Sequence, residues 1–177
     1  LVEVQDEGSQ LVACLCDPKP NEKVLDLCAG GGGKTLALAA LMKNKGQVVA
    51  TDNSPQRLAQ AKLRARRAGL GNIQVTNDAD AVAKSGPYDL VLVDAPCSSS
   101  GTLRRNPDVS VRWDEDDVAR LAQKQAAILD RAAGLVKPGG YLVYATCSIL
   151  PRENEEQAAA FTARHPGFTP APPGDRA

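Results

Sequence analysis

The chain has 177 residues, 43% of them hydrophobic and 24% charged, and its 21 basic and 21 acidic side chains cancel to a formal net charge of zero. That length and balance predict one soluble globular domain with a sizeable core, residues 1–177, and exclude a protein that grips nucleic acid through overall charge, leaving only a local basic patch. No apolar run of about eighteen residues and no basic-then-apolar leader occurs, so neither a membrane span nor a signal peptide is read and a cytoplasmic location is expected.

The first residue is Leu rather than Met, as expected of a processed product or a piece of a longer protein. Leu1 to Val4 read as a strand-like start, followed by a helix from about Ser9 to Cys16 with Leu11, Val12 and Leu15 apolar. Cys14 and Cys16 read as small core residues. Pro18 and Pro20 then break the chain. From Val24 a short buried strand runs into Gly30 to Gly33 and a helix of small apolar residues, Lys34 to about Lys43. The glycines let backbone approach a ligand, and the N–H groups of the following helix favour a polar or negative group. A phosphate-cradling P-loop would need glycine where Cys28 stands, and a dinucleotide fingerprint would need one where Thr35 or Leu36 stands. Both fail by one residue. Asp26 closes the first strand and Asp52 the second, about 20 residues past the turn, where an acid suits a ribose diol. A ribose site without a matched phosphate motif favours S-adenosylmethionine over NAD or ATP; the alternative is a purely structural turn.

The second strand runs from Gln47 to Thr51. The next helix has Ser54 as cap, Pro55 in first position, Leu58, Ala61, Ala65 and Ala68 on one face, and Gly69 as stop. Arg57, Lys62, Arg64, Arg66 and Arg67 line its other face, either solvated or touching RNA. A third strand, Asn72 to Thr76, ends in Asn77-Asp78-Ala79. The fourth, Tyr88 to Val93, is nearly all apolar, as for a strand covered on both faces. An irregular stretch from Asp94 to Trp113 precedes a helix between about Glu115 and Val136, with Val118, Leu121, Ala122, Ile128, Leu129, Ala132, Leu135 and Val136 in one stripe. Pro138-Gly139-Gly140 turns into a fifth strand, Tyr141 to Ala145. A last helix opened by Pro151 runs to about Arg164, and the end, with Pro166, Pro170, Pro172 and Pro173, has little regular structure. Strands alternating with helices give an α/β doubly wound, mostly parallel sheet, with ligands at the carboxyl ends of the strands.

Those ends carry Asp26, Cys28, Asp52, Asp78, Asp94, Cys97, Cys147 and Ser148. The five cysteines include no Cys-x-x-Cys pair and the single histidine is His165, so neither a disulfide framework nor a metal site is expected. Cys97 and Cys147 follow neighbouring strands and share one rim. A thiolate is a strong nucleophile that also leaves readily, which suits attack on an electron-poor ring followed by elimination.

Asp26-Leu27-Cys28-Ala29-Gly30-Gly31-Gly32-Gly33-Lys34-Thr35, Asp94-Ala95-Pro96-Cys97-Ser98, Leu103-Arg104-Arg105-Asn106-Pro107-Asp108 and Ala145-Thr146-Cys147-Ser148-Ile149-Leu150-Pro151 resemble the motifs of the Sun/Fmu (RsmB-like) RNA cytosine 5-methyltransferases. The resemblance extends from Val4-Gln5-Asp6-Glu7-Gly8-Ser9 to Glu153-Asn154-Glu155. It implies a class I (Rossmann-like) methyltransferase fold, S-adenosylmethionine as cofactor, RNA, ribosomal RNA above all, as partner, and a monomer. It also implies that Cys147 attacks carbon 6 of cytosine, that Cys97 helps remove the carbon-5 proton and release product, and that Asp94 holds the ring at N3 and the amino group. Lys34 would lower a thiol pKa or contact substrate. Cys28, Ala29, Gly30, Gly31, Gly32, Gly33 and Lys34 would line the methionine end, Asp52 the ribose and Asp78 the adenine, with Arg57 and Asp94 also at the cofactor; Asp26 would brace the turn or touch the ligand. Arg104, Arg105 and Asn106 would grip RNA as a cytosine turns out of its stack, the alternative being a solvated loop. Arg112 and Trp113 are equally well explained as a surface turn.

Three features depart from the family pattern. Gly31 stands where the family has proline, the terminal strand with Asp-Gly-Phe-Phe is missing, and so is the amino-terminal RNA-binding region. A DNA cytosine methyltransferase, with Cys97 as nucleophile, and a non-catalytic RNA-binding or ribosome-assembly module are the rival readings.

Overall fold

A computed structural model describes residues 2–172, so Leu1 and Pro173 lie outside the described residues. Residues 2–5 form no strand. They lead to Asp6, whose carboxylate accepts the Ser9 N–H and caps α1 (Glu7–Leu15). Positions two apart on a helix face different ways, which divides the neighbouring cysteines. Cys16 is fully buried, whereas Cys14 is exposed and is not the core residue expected of it.

Next in order come β1 (Lys23–Asp26), α2 (Gly33–Leu41), β2 (Gln47–Ala50), α3 (Pro55–Ala68), β3 (Ile73–Val75), α4 (Ala79–Ser85), β4 (Tyr88–Asp94), α5 (Glu115–Ala133), β5 (Val136–Ala145) and α6 (Glu155–Arg164). The sheet order is β3-β2-β1-β4-β5. β1 pairs in parallel with β2 and β4, and β2 with β3, so Val24 lies between Val48 and Leu90. The order reverses between β1 and β4, the switch point at which doubly wound sheets bind ligands.

The described residues divide into two compact units. The first comprises residues 2–92, 135–143 and 171–172. Its core joins Ala13 and Cys16 to Leu38 and Ala39 of α2, to Met42 just after it, and to Val24, Val48, Leu90 and Leu92 of the strands. Each fully buried Val or Leu there contributes about 1.5–3 kcal/mol. The second comprises residues 93–134 and 144–170. In it α5 and α6 pack on each other and on a 3-10 turn at Pro151–Glu153, burying Ala122, Leu129, Ala132 and Phe161.

The elements depart from the sequence pattern in several places. α4 was not foreseen; it forms because Asp78 Oδ1 accepts the N–H groups of Asp80 and Ala81. β5 starts at Val136 rather than Tyr141. Its Gly139 sits at φ +74° inside the strand and bends it without ending it. As an edge strand, β5 is only partly buried. The stretch after β4 holds 3-10 turns at Ser100–Thr102 and Pro107–Val111. Pro151 opens a 3-10 turn rather than the last helix, and α6 begins after Asn154. No helix among the described residues is long and apolar enough to cross a membrane, and no cluster of metal-ligating side chains occurs among them.

Candidate active site

The glycine turn belongs to the first unit. Gly30 and Gly32 have φ of +54° and +82°, a region that favours glycine. At Gly30 a Cβ would meet nothing within 4 Å, so open space lies there; at Gly32 it would lie 2.8 Å from the Cβ of Ala61 on α3. Gly32 caps α2 with no side-chain hydrogen bond, as glycine must, and places the amino end of that helix at the turn. Asp52 accepts the Gly30 N–H at 2.9 Å and the Ser54 N–H at 2.8 Å, tying the end of β2 to the turn. Asp26 is buried and accepts the Thr35 hydroxyl at 2.7 Å, which makes it a brace. These residues fit a cofactor with a diol and a polar tail.

Arg64, expected to be solvated or to touch RNA, instead braces the turn. It is half-buried, and its Nη1 donates to Gly31 O at 2.7 Å while Nη2 pairs with Glu3 at 3.2 Å. Arg67 pairs with the same Glu3, so two members of the basic run on α3 serve the fold. Arg57 is exposed in the first turn of α3, where its N–H donates to Ser54 Oγ. Lys34 Nζ donates to Ser9 Oγ at 3.2 Å. Asp78 is exposed and spends Oδ1 on the α4 cap.

The thiols belong to the second unit. The Ala95 N–H donates to Ala145 O, which sets the turn after β4 beside the turn after β5. Cys97 Sγ, buried, and Cys147 Sγ, exposed, come within 3.4 Å. Gly101 permits this approach, since a Cβ there would lie 2.8 Å from Cys147 O. The shared hydrogen bond to Cys147 and burial raise the Cys97 pKa well above that of an ordinary thiol. The same bond lowers the Cys147 pKa to about 6, against burial and the Asp94 charge, with help from the Ser99 hydroxyl. Of the two thiols, Cys147 is therefore the more acidic and Cys97 the one that holds its proton more tightly.

Behind the thiols lies a network that the sequence did not disclose. Glu153 is fully buried and accepts the Ser98 N–H at 2.9 Å, the Ser98 hydroxyl at 2.5 Å and Gln125 Nε2 at 2.9 Å. Gln125 Nε2 also donates to Pro96 O. Burial opposes ionisation of Glu153, but donors from Ser148, Ser98 and Gln125 outweigh it and hold the carboxyl below its usual range. Asn154 Oδ1 accepts the Thr146 hydroxyl at 2.6 Å, and its Nδ2 donates to Ser148 O and Leu150 O, each at 3.0 Å. One local signal was available: Gln125 is a polar residue on the stripe of Ala122, Leu129 and Ala132.

Thus Asp94, Cys97 and Cys147 come together as the sequence suggested. Arg104, Arg105 and Asn106 are exposed just after the first 3-10 turn, and Asn106 Nδ2 is held by Thr102 Oγ1 at 3.1 Å.

Residues 13–172 match the family described as 16S rRNA methyltransferase RsmB/F. A Bacillus subtilis (strain 168) protein named "Probable ribosomal RNA small subunit methyltransferase B" is 46% identical over 173 residues, 96% of this chain and 39% of that protein. The Klebsiella pneumoniae ribosomal RNA small subunit methyltransferase B is 41% identical over 184 residues, 99% of this chain and 42% of the relative. The crystal structure of NSun6 from Pyrococcus horikoshii with SFG superposes with a TM-score of 0.82 at 30% identity, covering 90% of this chain and 41% of that one. The chain spans about two fifths of the length of these curated relatives.

Proposed function

The chain belongs to the RsmB/F family of 16S rRNA methyltransferases, and on that premise we propose that residues 1–177 are the catalytic domain of an enzyme that methylates carbon 5 of a cytosine in ribosomal RNA. The observation that carries the reading is the 3.4 Å approach of two thiols with opposite protonation preferences. Cys147 adds as a thiolate to carbon 6 of cytosine; the ring double-bond electrons move toward carbon 5, and Asp94 holds N3 and the amino group as charge shifts. S-adenosylmethionine, of which SFG is an analogue, supplies the electrophilic methyl group when bound. With Cys147 bound to the ring, Cys97 gives its own proton to water and, as a thiolate, takes the carbon-5 proton; the ring double bond re-forms and Cys147 leaves as a thiolate.

The order of events is built into the thiol pair. The shared bond to Cys147 is the first cause of the raised Cys97 pKa, so Cys97 favours its protonated form while that bond persists. Consumption of Cys147 in the carbon–sulfur bond removes the charge, and only then does Cys97 become able to act as a base. In the cofactor site the Cys28 to Gly33 backbone receives the methionine end, Asp52 the ribose and Asp78 the adenine, with Arg57 and Lys34 at its margins. Arg104, Arg105 and Asn106 hold the RNA backbone.

The test is covalent capture with 5-fluorocytidine RNA, whose fluorine blocks the final elimination. The unaltered chain and Cys97→Ala should form an adduct that survives denaturation, and Cys147→Ala should not. Capture retained by Cys147→Ala and lost by Cys97→Ala would reverse the roles, as in the DNA cytosine enzymes.

A further inference from the structure

Two consecutive residues outside the thiol turns make the bonds that hold those turns. Glu153 closes the 3-10 turn Pro151–Glu153, and Asn154 separates that turn from α6. The Glu153 carboxylate receives the Ser98 N–H and hydroxyl, and the Gln125 amide bridges it to Pro96 O. Both residues adjoining Cys97 are therefore tied to one anion. Asn154 makes the matching set on the other turn: it accepts from Thr146, just before Cys147, and donates to the carbonyl of Ser148, just after it. A buried carboxylate is costly unless its lone pairs are filled. Here the Ser98 N–H and hydroxyl and the Gln125 amide donate to it, with the Ser148 hydroxyl also lowering its pKa, and these donors offset the cost of burial.

We propose that Glu153 and Asn154 are positioning residues for the two thiols, Glu153 fixing Cys97 through Pro96 and Ser98, and Asn154 fixing Cys147 through Thr146 and Ser148. Because they are adjacent in the chain, the two turns share one anchor, and the sulfur-to-sulfur approach depends on both. The inference rests on the two-cysteine reading above, but its test needs no RNA.

The test is iodoacetamide labelling of the folded chain from pH 5 to 9, with each cysteine followed by peptide mass spectrometry. The near-isosteric Glu153→Gln sets an amide N–H against the Ser98 hydroxyl or the Gln125 amide, and Asn154→Asp sets an oxygen against two carbonyls. Each should weaken the thiol-to-thiol bond, raise the Cys147 labelling midpoint toward that of an ordinary thiol, and slow labelling at pH 6 about tenfold. Tyr88→Phe, which removes a buried hydroxyl that donates to Val82 O, is the control: it should lower the melting temperature and leave the Cys147 profile unchanged. Should Glu153→Gln not fold, Ser98→Ala removes one of the same donors and should shift the profile in the same direction. A low midpoint in the parent that persists in folded Glu153→Gln or Ser98→Ala and in Asn154→Asp would overturn the anchor alone. An ordinary midpoint in the parent would overturn the two-cysteine reading and the anchor together.

Discussion

At the residue scale, burial and one hydrogen bond divide the work of two chemically identical side chains. Cys147 is exposed and acidic; Cys97 is buried and keeps its proton. Asp94 works against the first of these, since its negative charge raises the Cys147 pKa, and the proposed role for it is at the substrate. Asp94→Asn should therefore lower the Cys147 labelling midpoint and speed labelling near pH 5, yet slow methyl transfer by about 10²–10³-fold through loss of a group that stabilises developing charge. Parallel labelling and methylation assays check this; labelling that slows together with methylation would mean that Asp94 supports the thiol instead. Cys97, Cys147 and Asp94 were legible in the sequence because strand ends gather at one rim of a doubly wound sheet. Glu153 and Asn154 were not, because their meaning lies in bonds to residues up to 55 positions away in the chain.

At the element scale, the glycine turn and α3 are built against each other. Gly31 has no positive φ, and a Cβ there would make ordinary contacts at 3.7 Å with Arg64 and Gln60, whereas Gly32 has both a positive φ and a backbone close against Ala61. Gly31→Ala should stabilise the chain by about 0.4–1 kcal/mol through the unfolded state, and Gly32→Ala should destabilise it by more than that. Urea melts of both variants check the pair, and a destabilised Gly31→Ala would show that the turn needs glycine throughout. Elements with local signals were read well: Ser54, Pro55 and Gly69 bound α3 as expected. α4 has only 7 residues, too few to show a periodic stripe, and its one local signal is the cap Asp78. The strand expected in residues 1–4 does not appear over the described part, where Glu3 instead pairs with Arg64 and Arg67 across a separation no local pattern reveals.

At the scale of the whole molecule, the sheet order and the family agree on a class I methyltransferase. The zero net charge means that RNA affinity cannot come from the chain as a whole. Several cations are moreover committed to ion pairs: Arg64 and Arg67 with Glu3, Arg112 with Asp108, Lys137 with Asp89, Arg164 with Asp130. The Arg104–Arg105–Asn106 segment is the local grip proposed within this chain, and the relatives are more than twice as long. Methylation at carbon 5 can be read from unmodified small-subunit ribosomal RNA tritiated at carbon 5 of cytosine, incubated with the protein and S-adenosylmethionine. Tritium should pass to water in step with methyl incorporation, one atom for each methyl group. Methyl incorporation with tritium retained in the RNA would put the methyl group elsewhere and contradict the account.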